Sequence, residues 1–477
     1  MADTVTGNPT IGAYTGPIDL SRPHFVGVGG SAMSGLAQLC AARGALVSGT
    51  DAADSERITA LRAAGCKVEI GHDPHAIEGT SCVVYTTVAQ HAPEVAAARV
   101  QGIPVVHRAQ VLRELAGRHL VAVAGTHGKS TTTGILVAAL RQLGQDPSFV
   151  VGADLDVPGS GAYHGSGGLF VAEADESDRS FHFLEPAAAV ITTIAHDHPE
   201  NFDGLDSHLI AYVTFAARLQ HGGVLVANAD EPASSDVLAR VRRLRPDVRV
   251  VTFGQSVRAD VRFGPVDRHG WQSTTEVHAG NGRGVLRLGT PSIHHVQDAV
   301  AAVALLVARG YPIDTATRAA SAFMGVRRRF TPVGAAGEVT VVDCYADHHN
   351  EIAADLEAAR LLAGDRQVLA VVQPSGYARV RTFGRQMGAV LAVGADCTIM
   401  LDVHGADPIP DVSSALVAEA AIAAGGHVRY ATGHQPTDLV AGIARPGDVI
   451  VLLGTGDVSG LAAPILTRLR ETAGQYV

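Results

Sequence analysis

Apolar residues along this chain gather in short runs, and many of these runs end in a glycine-bearing turn that leads into apolar positions three and four apart. A short apolar run bounded by turn residues reads as a buried strand; the three-four spacing reads as a helix packed on it. The alternation begins at residues 24–36, and further strands are expected over 46–50, 67–70, 82–86 and 103–106, with a helix near 111–115. Ala116-Gly117-Arg118 marks a boundary. A second series has strands over 120–124, 168–174, 188–194, 223–227 and 248–253, then an alternating, glycine-rich meander over 260–288 and helices over 296–309 and 314–324. A third starts near Phe330, with strands over 339–343, 368–372, 398–401 and 449–453. Strands alternating with helices predict an α/β chain of parallel sheets that gather ligands at the strands' C-terminal ends. The expected division is a flexible tail over 1–20 and units over 21–117, 118–328 and 329–477.

Composition narrows this picture. A length of 477 residues suits about three domains. Hydrophobic residues at 47% with only 5% aromatic suit closely packed α/β layers. A formal charge of −10 argues against a nucleic-acid surface, and basic residues cluster only at Arg327-Arg328-Arg329. Five cysteines, odd in number and without a C-x-x-C pair, predict reduced thiols and a cytoplasmic location. The first twenty residues carry no apolar secretory core, and no apolar run is long enough to span a membrane.

The candidate chemistry centres on residues 120–140. An apolar strand runs into Gly125, Thr126, His127, Gly128, Lys129, Ser130 and Thr131, and a helix follows. Small residues let backbone N–H groups approach phosphate oxygens, and the helix start adds partial positive charge. Lys129 supplies a full charge, and Ser130 or Thr131 a hydroxyl for Mg²⁺. The eight-residue form of such a loop needs glycine where Val123 stands, so this loop is of a shorter type. In the first unit, Gly27, Gly29, Gly30 and Ser31 form a glycine turn before a helix, and Asp51 ends the next strand 24 positions after Gly27. That pattern predicts a pyrophosphate on the helix start without fixing which nucleotide carries it. Glu173, Asp175, Glu176 and Asp178 end another strand and suit Mg²⁺. His196-Asp197-His198 has no cysteine nearby for zinc, which favours a Mg²⁺-side or substrate-side histidine. Arg327-Arg328-Arg329 reads as an arginine clamp on a phosphate across a domain cleft, or as a solvated hinge.

Together, HFVGVGG, VSGTD, AGTHGKS, VAEADESD, Asp197-His198, GVRRRF, Gln373-Pro374 and LGTGD at 453–457 resemble the Mur ligase family, with the motifs in order from about His24 to Gly460. The resemblance implies three domains: an N-terminal Rossmann-like domain for a UDP-sugar, a central P-loop ATPase domain, and a C-terminal Rossmann-like domain that brings the amino acid. It implies ATP and Mg²⁺ as cofactors, a UDP-sugar carboxylate and an amino acid or amine as small-molecule partners, and no nucleic-acid or membrane partner. The expected activity is ATP-dependent amide formation through an acyl phosphate, in which phosphorylation gives the carboxylate a good leaving group. By position, the resemblance puts Lys129 and Ser130 on the ATP phosphates and Mg²⁺, Glu173 on the metal, His198 near a second metal, and Arg328 and Arg329 near the γ-phosphate. His295 and Asp298 fall at the adenine and Asp343 at the ribose, while Gly27, Gly29, Gly30, Ser31 and Asp51 hold the UDP portion.

The departures are local. The family's H-N-x-x-N helix reads His294-His295-Val296-Gln297-Asp298, so both asparagines are replaced. Its D-D-Y-A-H-H-P-T-E reads Asp343-Cys344-Tyr345-Ala346-Asp347-His348-His349-Asn350-Glu351, and the Q-P-H-R-Y-[ST]-R of its alanine-adding members reads Gln373-Pro374-Ser375-Gly376-Tyr377-Ala378-Arg379. An acceptor site built on Asp347, Ser375 and Arg379 therefore differs from the usual one. Three readings stay open: a peptidoglycan-type ligase, a relative using another acid or amine in specialised metabolism, and a non-catalytic nucleotide- or UDP-sugar-binding protein. A nicotinamide oxidoreductase leaves Gly128-Lys129-Ser130 without a role.

Overall fold

The computed structural model describes residues 14–155, 161–431 and 435–473, and it resolves the alternation into three sheets. The first is parallel throughout, in the spatial order Lys67–Ile70, Ser48–Asp51, Pro23–Val26, Cys82–Tyr85, Val105–His107. The second has a parallel centre, with Leu120–Ala124 between Ala188–Ile191 and Phe170–Glu173. Beyond Arg249–Gly254 it runs into the antiparallel meander expected over 260–288. In the third, Val449–Leu453 lies between Val339–Cys344 and Val368–Val372, and Thr331–Ala336 closes one edge antiparallel.

Residues such as Val121, Ala122 and Val123 are buried on both faces of their sheet, which is why the parallel strands read as unbroken apolar runs. Ser148–Val150, Ala162–Tyr163, Thr331–Ala336 and Val428–Tyr430 are strands that the pattern does not predict. Three of these have only two or three residues, and Thr331–Ala336, with six, carries a proline and a glycine at an edge, where proline is tolerated. The tail expected over 1–20 is held from Tyr14 onward: the Tyr14 N–H donates to Gln110 Oε1 (3.3 Å), and Tyr14, Ile18 and Leu20 pack on the first core. Residues 1–13 lie outside the described residues.

The link to the third sheet is tightly wound. Within six residues, Gly325, Arg328 and Phe330 take φ values of +127°, +62° and +48°. Phe330 is buried, the Arg327 N–H donates to the Asp154 carbonyl (2.9 Å), and Thr331 Oγ1 donates to the Val326 carbonyl (2.8 Å). All five cysteines are free, and no helix among the described residues is long and apolar enough to cross a membrane.

Candidate active site

The strand Leu120–Ala124 delivers the loop 125–128 to the C-terminal edge of the central sheet. Gly125 has φ +141°, and a side chain there would run into Thr192. Gly128 has φ +82°, and a Cβ there would lie 2.2 Å from Asp298 Oδ1, so both positions require glycine. The loop is fastened to the neighbouring strand end: the Thr126 N–H donates to the Thr193 carbonyl and the His127 N–H to Thr193 Oγ1, each at 2.9 Å. Helix Lys129–Gln142 starts at Gly128 without a capping side chain, which leaves its first amides for an anion. Lys129 Nζ donates to the Gly125 carbonyl (2.7 Å) and to Glu176 Oε1 (2.9 Å).

The four carboxylates expected to share Mg²⁺ have divided roles. Asp175 pairs with Arg108 at 2.6 Å, Asp178 accepts from Thr87 Oγ1 at 2.7 Å, and both tie the first unit to the second. Glu176 is held by Lys129. Glu173 keeps a buried oxygen, Oε1, with no partner, as Glu176 does with Oε2; at Glu173 no cation among the described residues is in contact, and burial raises its carboxyl above the ordinary range although Ser130 hydrogen-bonds to it. An unpartnered carboxylate oxygen beside a hydroxyl is a hard-oxygen pair that fits a divalent cation. No cluster of three or more His, Cys, Asp or Glu suited to a metal occurs among the described residues, in keeping with an ion that takes its remaining ligands from water and phosphate. His198, expected as a metal ligand, stands among three carboxylates. Burial disfavours its charge, but Glu200, Asp197 and Glu176 together push it up to about 9, so it stands as a cation among carboxylates.

Two clefts open from this loop. One, of about 510 Å³, lies between the central sheet and helix His349–Ala363, lined by His127, Gly128, Thr131, His295, Asp298 and Arg329 among others. Burial pushes the Asp298 carboxyl well up, against the opposing effect of a hydrogen bond from Thr132. His295, pushed down to about 3 by burial, is neutral and meets Thr290 Oγ1 at 3.2 Å. Asp343, expected at the ribose, is not on this lining. It is buried against Arg328 at 3.6 Å, while Tyr345, Ala346, Asn350 and Glu351 of the same unit line the cleft.

The second cleft, of about 530 Å³, is where all three units meet. Ser31, Arg57 and Arg108 come from the first, Lys129, Ser130, Glu173 and His198 from the second, and Asp347, Arg379 and Thr455 from the third. Arg328 borders it, but its guanidinium donates to the carbonyls of Gly454 (2.7 Å), Gly456 (3.1 Å) and Thr455 (3.3 Å), which makes it a strut between units. Arg329 lines both clefts and stands 3.6 Å from Glu351. Arg379 reaches from the third unit to Asp197 with Nε (2.9 Å) and Nη2 (3.1 Å), and its Nη1 donates to Asp347. Ser375 lies behind this wall, 3% exposed, where it accepts from the Thr455 N–H (3.2 Å).

The first unit's glycine turn uses its own amides. Gly27 (φ +73°) and Val28 donate to the Thr50 carbonyl, Gly30 donates to the Gly27 carbonyl, and Gly29 donates to Asp51 Oδ2 at 2.8 Å. Asp51 thus braces the turn, and the uncapped start of helix Ser31–Ala42 is the part that faces the clefts, through Ser31 and Ala32. Sequence reasoning missed the pairs that join the units: Arg108–Asp175, Arg379–Asp197 and His127–Glu351 (3.2 Å). No spacing signals them, because each joins elements far apart in the chain.

The chain matches three family models in order: "Mur ligase family, catalytic domain" over residues 22–120, "Mur ligase middle domain" over 123–306, and "Mur ligase, glutamate ligase domain" over 328–456. It is 44% identical to a UDP-N-acetylmuramate–L-alanine ligase of Streptomyces avermitilis, over 95% of this chain and 99% of that one. With the protein of the same name from Streptomyces coelicolor the identity is 43% over the same shares. Among solved structures, the UDP-N-acetylmuramate-alanine ligase of Thermotoga maritima superposes with a TM-score of 0.78 at 23% identity, covering 94% of this chain and 99% of that one. A murein peptide ligase of Psychrobacter arcticus gives 0.70 at 24% identity over the same shares.

Proposed function

The chain belongs to the Mur ligase family, and from that premise we propose that it uses ATP to join the carboxylate of UDP-N-acetylmuramate to the amine of L-alanine. The observation that carries this reading is the meeting of Lys129, the unpartnered Glu173 and Arg379 in one cleft to which all three units contribute. A carboxylate does not react with an amine until it gains a leaving group. Transfer of the terminal phosphoryl group of ATP to the sugar's carboxylate gives an acyl phosphate and ADP. The acceptor's nitrogen then attacks the acyl carbon, phosphate departs, and the nitrogen loses a proton.

In this reading the units over 21–117, 118–328 and 329–477 receive the UDP-sugar, ATP and the amino acid. The uncapped helix at Lys129 binds phosphate through its first amides, with Lys129 as a fixed charge. His127, Thr131, His295 and Asp298 line the space for the base and sugar of the nucleotide. Glu173 and Ser130 would hold Mg²⁺, which supplies positive charge to the transferring phosphate. His198, itself a cation, adds to the charge that faces the phosphates. Ser31 and Arg57 offer an uncapped helix start and a guanidinium to the UDP portion.

The test is direct: protein, ATP, Mg²⁺, UDP-N-acetylmuramate and L-alanine, with phosphate release and the mass of the UDP-sugar product followed together. One phosphate per amide supports the reading. Amide formed only with another acid or amine moves the chain to specialised metabolism. Binding of ATP and the UDP-sugar with no coupling to any acceptor makes it a binding protein.

A further inference from the structure

The third unit contributes two cations to the cleft: Arg329, which stands by Glu351 and donates to the Tyr345 carbonyl (3.2 Å), and Arg379, beside Asp347. Arg379 sits in the first turn of helix Tyr377–Gly394, and its side chain is only 14% exposed. A guanidinium offers five N–H donors in a planar fork. The side formed by Nε and Nη2 lies flat against both oxygens of Asp197, a residue of the central unit. The remaining nitrogen, Nη1, donates to Asp347, which arrives on the loop between strand Val339–Cys344 and helix His349–Ala363. Two carboxylates thus share one cation, and Glu351 adds a third negative charge to the same lining.

We infer that Asp347 is an internal competitor for the acceptor's carboxylate: it occupies the Nη1 donor of Arg379 that an incoming amino acid needs, and so sets how strongly this protein prefers acceptors that carry a carboxylate. The inference rests on the proposed function in one respect, that the acceptor enters on the side of the third unit. An amino acid gains its charge-assisted bond only after Asp347 moves aside, whereas an amine without a carboxylate leaves the Asp347–Arg379 pair intact. The contrary reading makes Asp347 a prop that holds Arg379 in place for the acceptor, and it predicts the opposite sign on removal.

The experiment compares the full-length protein with Asp347→Asn and Asp347→Ala, each checked for an unchanged melting profile. Propionate, a plain carboxylate with no amine, is titrated by calorimetry, and the KM for L-alanine is measured from amide formation. The expected result is propionate binding about tenfold tighter in both variants and a lower KM for L-alanine. Asp347→Asn/Arg379→Met should lose that gain. Unchanged or weaker propionate binding in the single variants overturns the inference, whether or not the protein ligates. If either variant fails to fold, the unaltered protein decides. A kcat/KM for L-alanine within about tenfold of that for L-alaninamide supports the competition, and a preference of 100-fold or more overturns it. Absence of any amide with L-alanine counts against the proposed function, and the propionate titration still decides the role of Asp347.

Discussion

Lys129→Met separates two jobs that one side chain performs. Its ammonium lies 2.9 Å from Glu176 Oε1, and the Glu176 side chain has no exposed surface. Removing the cation leaves a buried carboxylate with no countercharge, a loss of about 3–5 kcal/mol when the acid stays ionised. Protonation limits it: neutralising an ordinary glutamate at pH 7 costs about 1.4 kcal/mol per pH unit above its pKa, or roughly 3–4 kcal/mol. Burial already raises the Glu176 carboxyl, so the lower end applies, and Lys129→Met should unfold at distinctly lower urea. Adding Glu176→Gln removes the stranded charge and should return most of that stability. Phosphate release should not return: a fixed charge aimed at a transferring phosphate contributes about 10²-fold or more to the rate. The assay pairs urea midpoints with ATP-dependent phosphate release for both single variants and the double variant. A double variant with turnover within tenfold of the parent would falsify the phosphate role, since it reduces Lys129 to a partner for Glu176.

Burial holds His24, His107 and His208 down at about 4, and His295 and His348 at about 3. The unfolded chain takes up protons at these positions as pH falls below about 6.5 while the folded chain refuses them, so stability is full above 6.5 and declines from there toward pH 4. A melting temperature that stays flat from pH 7 to 5 refutes this. Burial disfavours charge on Asp298, and Asp298→Asn keeps its shape without a charge, so its KM for ATP at pH 7 should stay within about threefold of the parent; a much larger change shows that the ionised form binds. Gly376 has φ +77° and ψ 111° at the start of its helix, a conformation that costs any other residue about 1–3 kcal/mol. Gly376→Arg, which restores the family's arginine, should therefore lower stability without improving alanine use, and a clear gain in kcat/KM for L-alanine contradicts it.

The strand positions in each unit were legible wherever strands are buried on both faces; their order in the sheets was not. Leu120–Ala124, Val368–Val372 and Val449–Leu453 fall where the apolar runs place them, since a parallel strand covered on both faces must be apolar along its length. Edge strands such as Val428–Tyr430 carry too little apolar pattern to be read. Lys129 and Glu173 could be singled out because a phosphate loop and the strand beside it are local patterns. Asp197 was passed over in favour of its neighbour His198, because its partner Arg379 lies 182 positions away. At the glycine turn over 27–30 the spacing could not tell where the amides go: three serve the turn and the adjoining strand, and Asp51 takes the fourth.

The wound link at 325–330 gives the third unit something like a spring catch. Arg328 and Phe330 are not glycines, and holding each in the left-handed region costs about 1–2 kcal/mol. The bonds of Arg328 to the carbonyls at 454–456 and the grip of Arg379 on Asp197 offset that cost while the units are together. The same two arginines therefore carry both the seating of the third unit and the backbone shape of its entry, so that the angle at which the unit meets the cleft is fixed from either side of the joint.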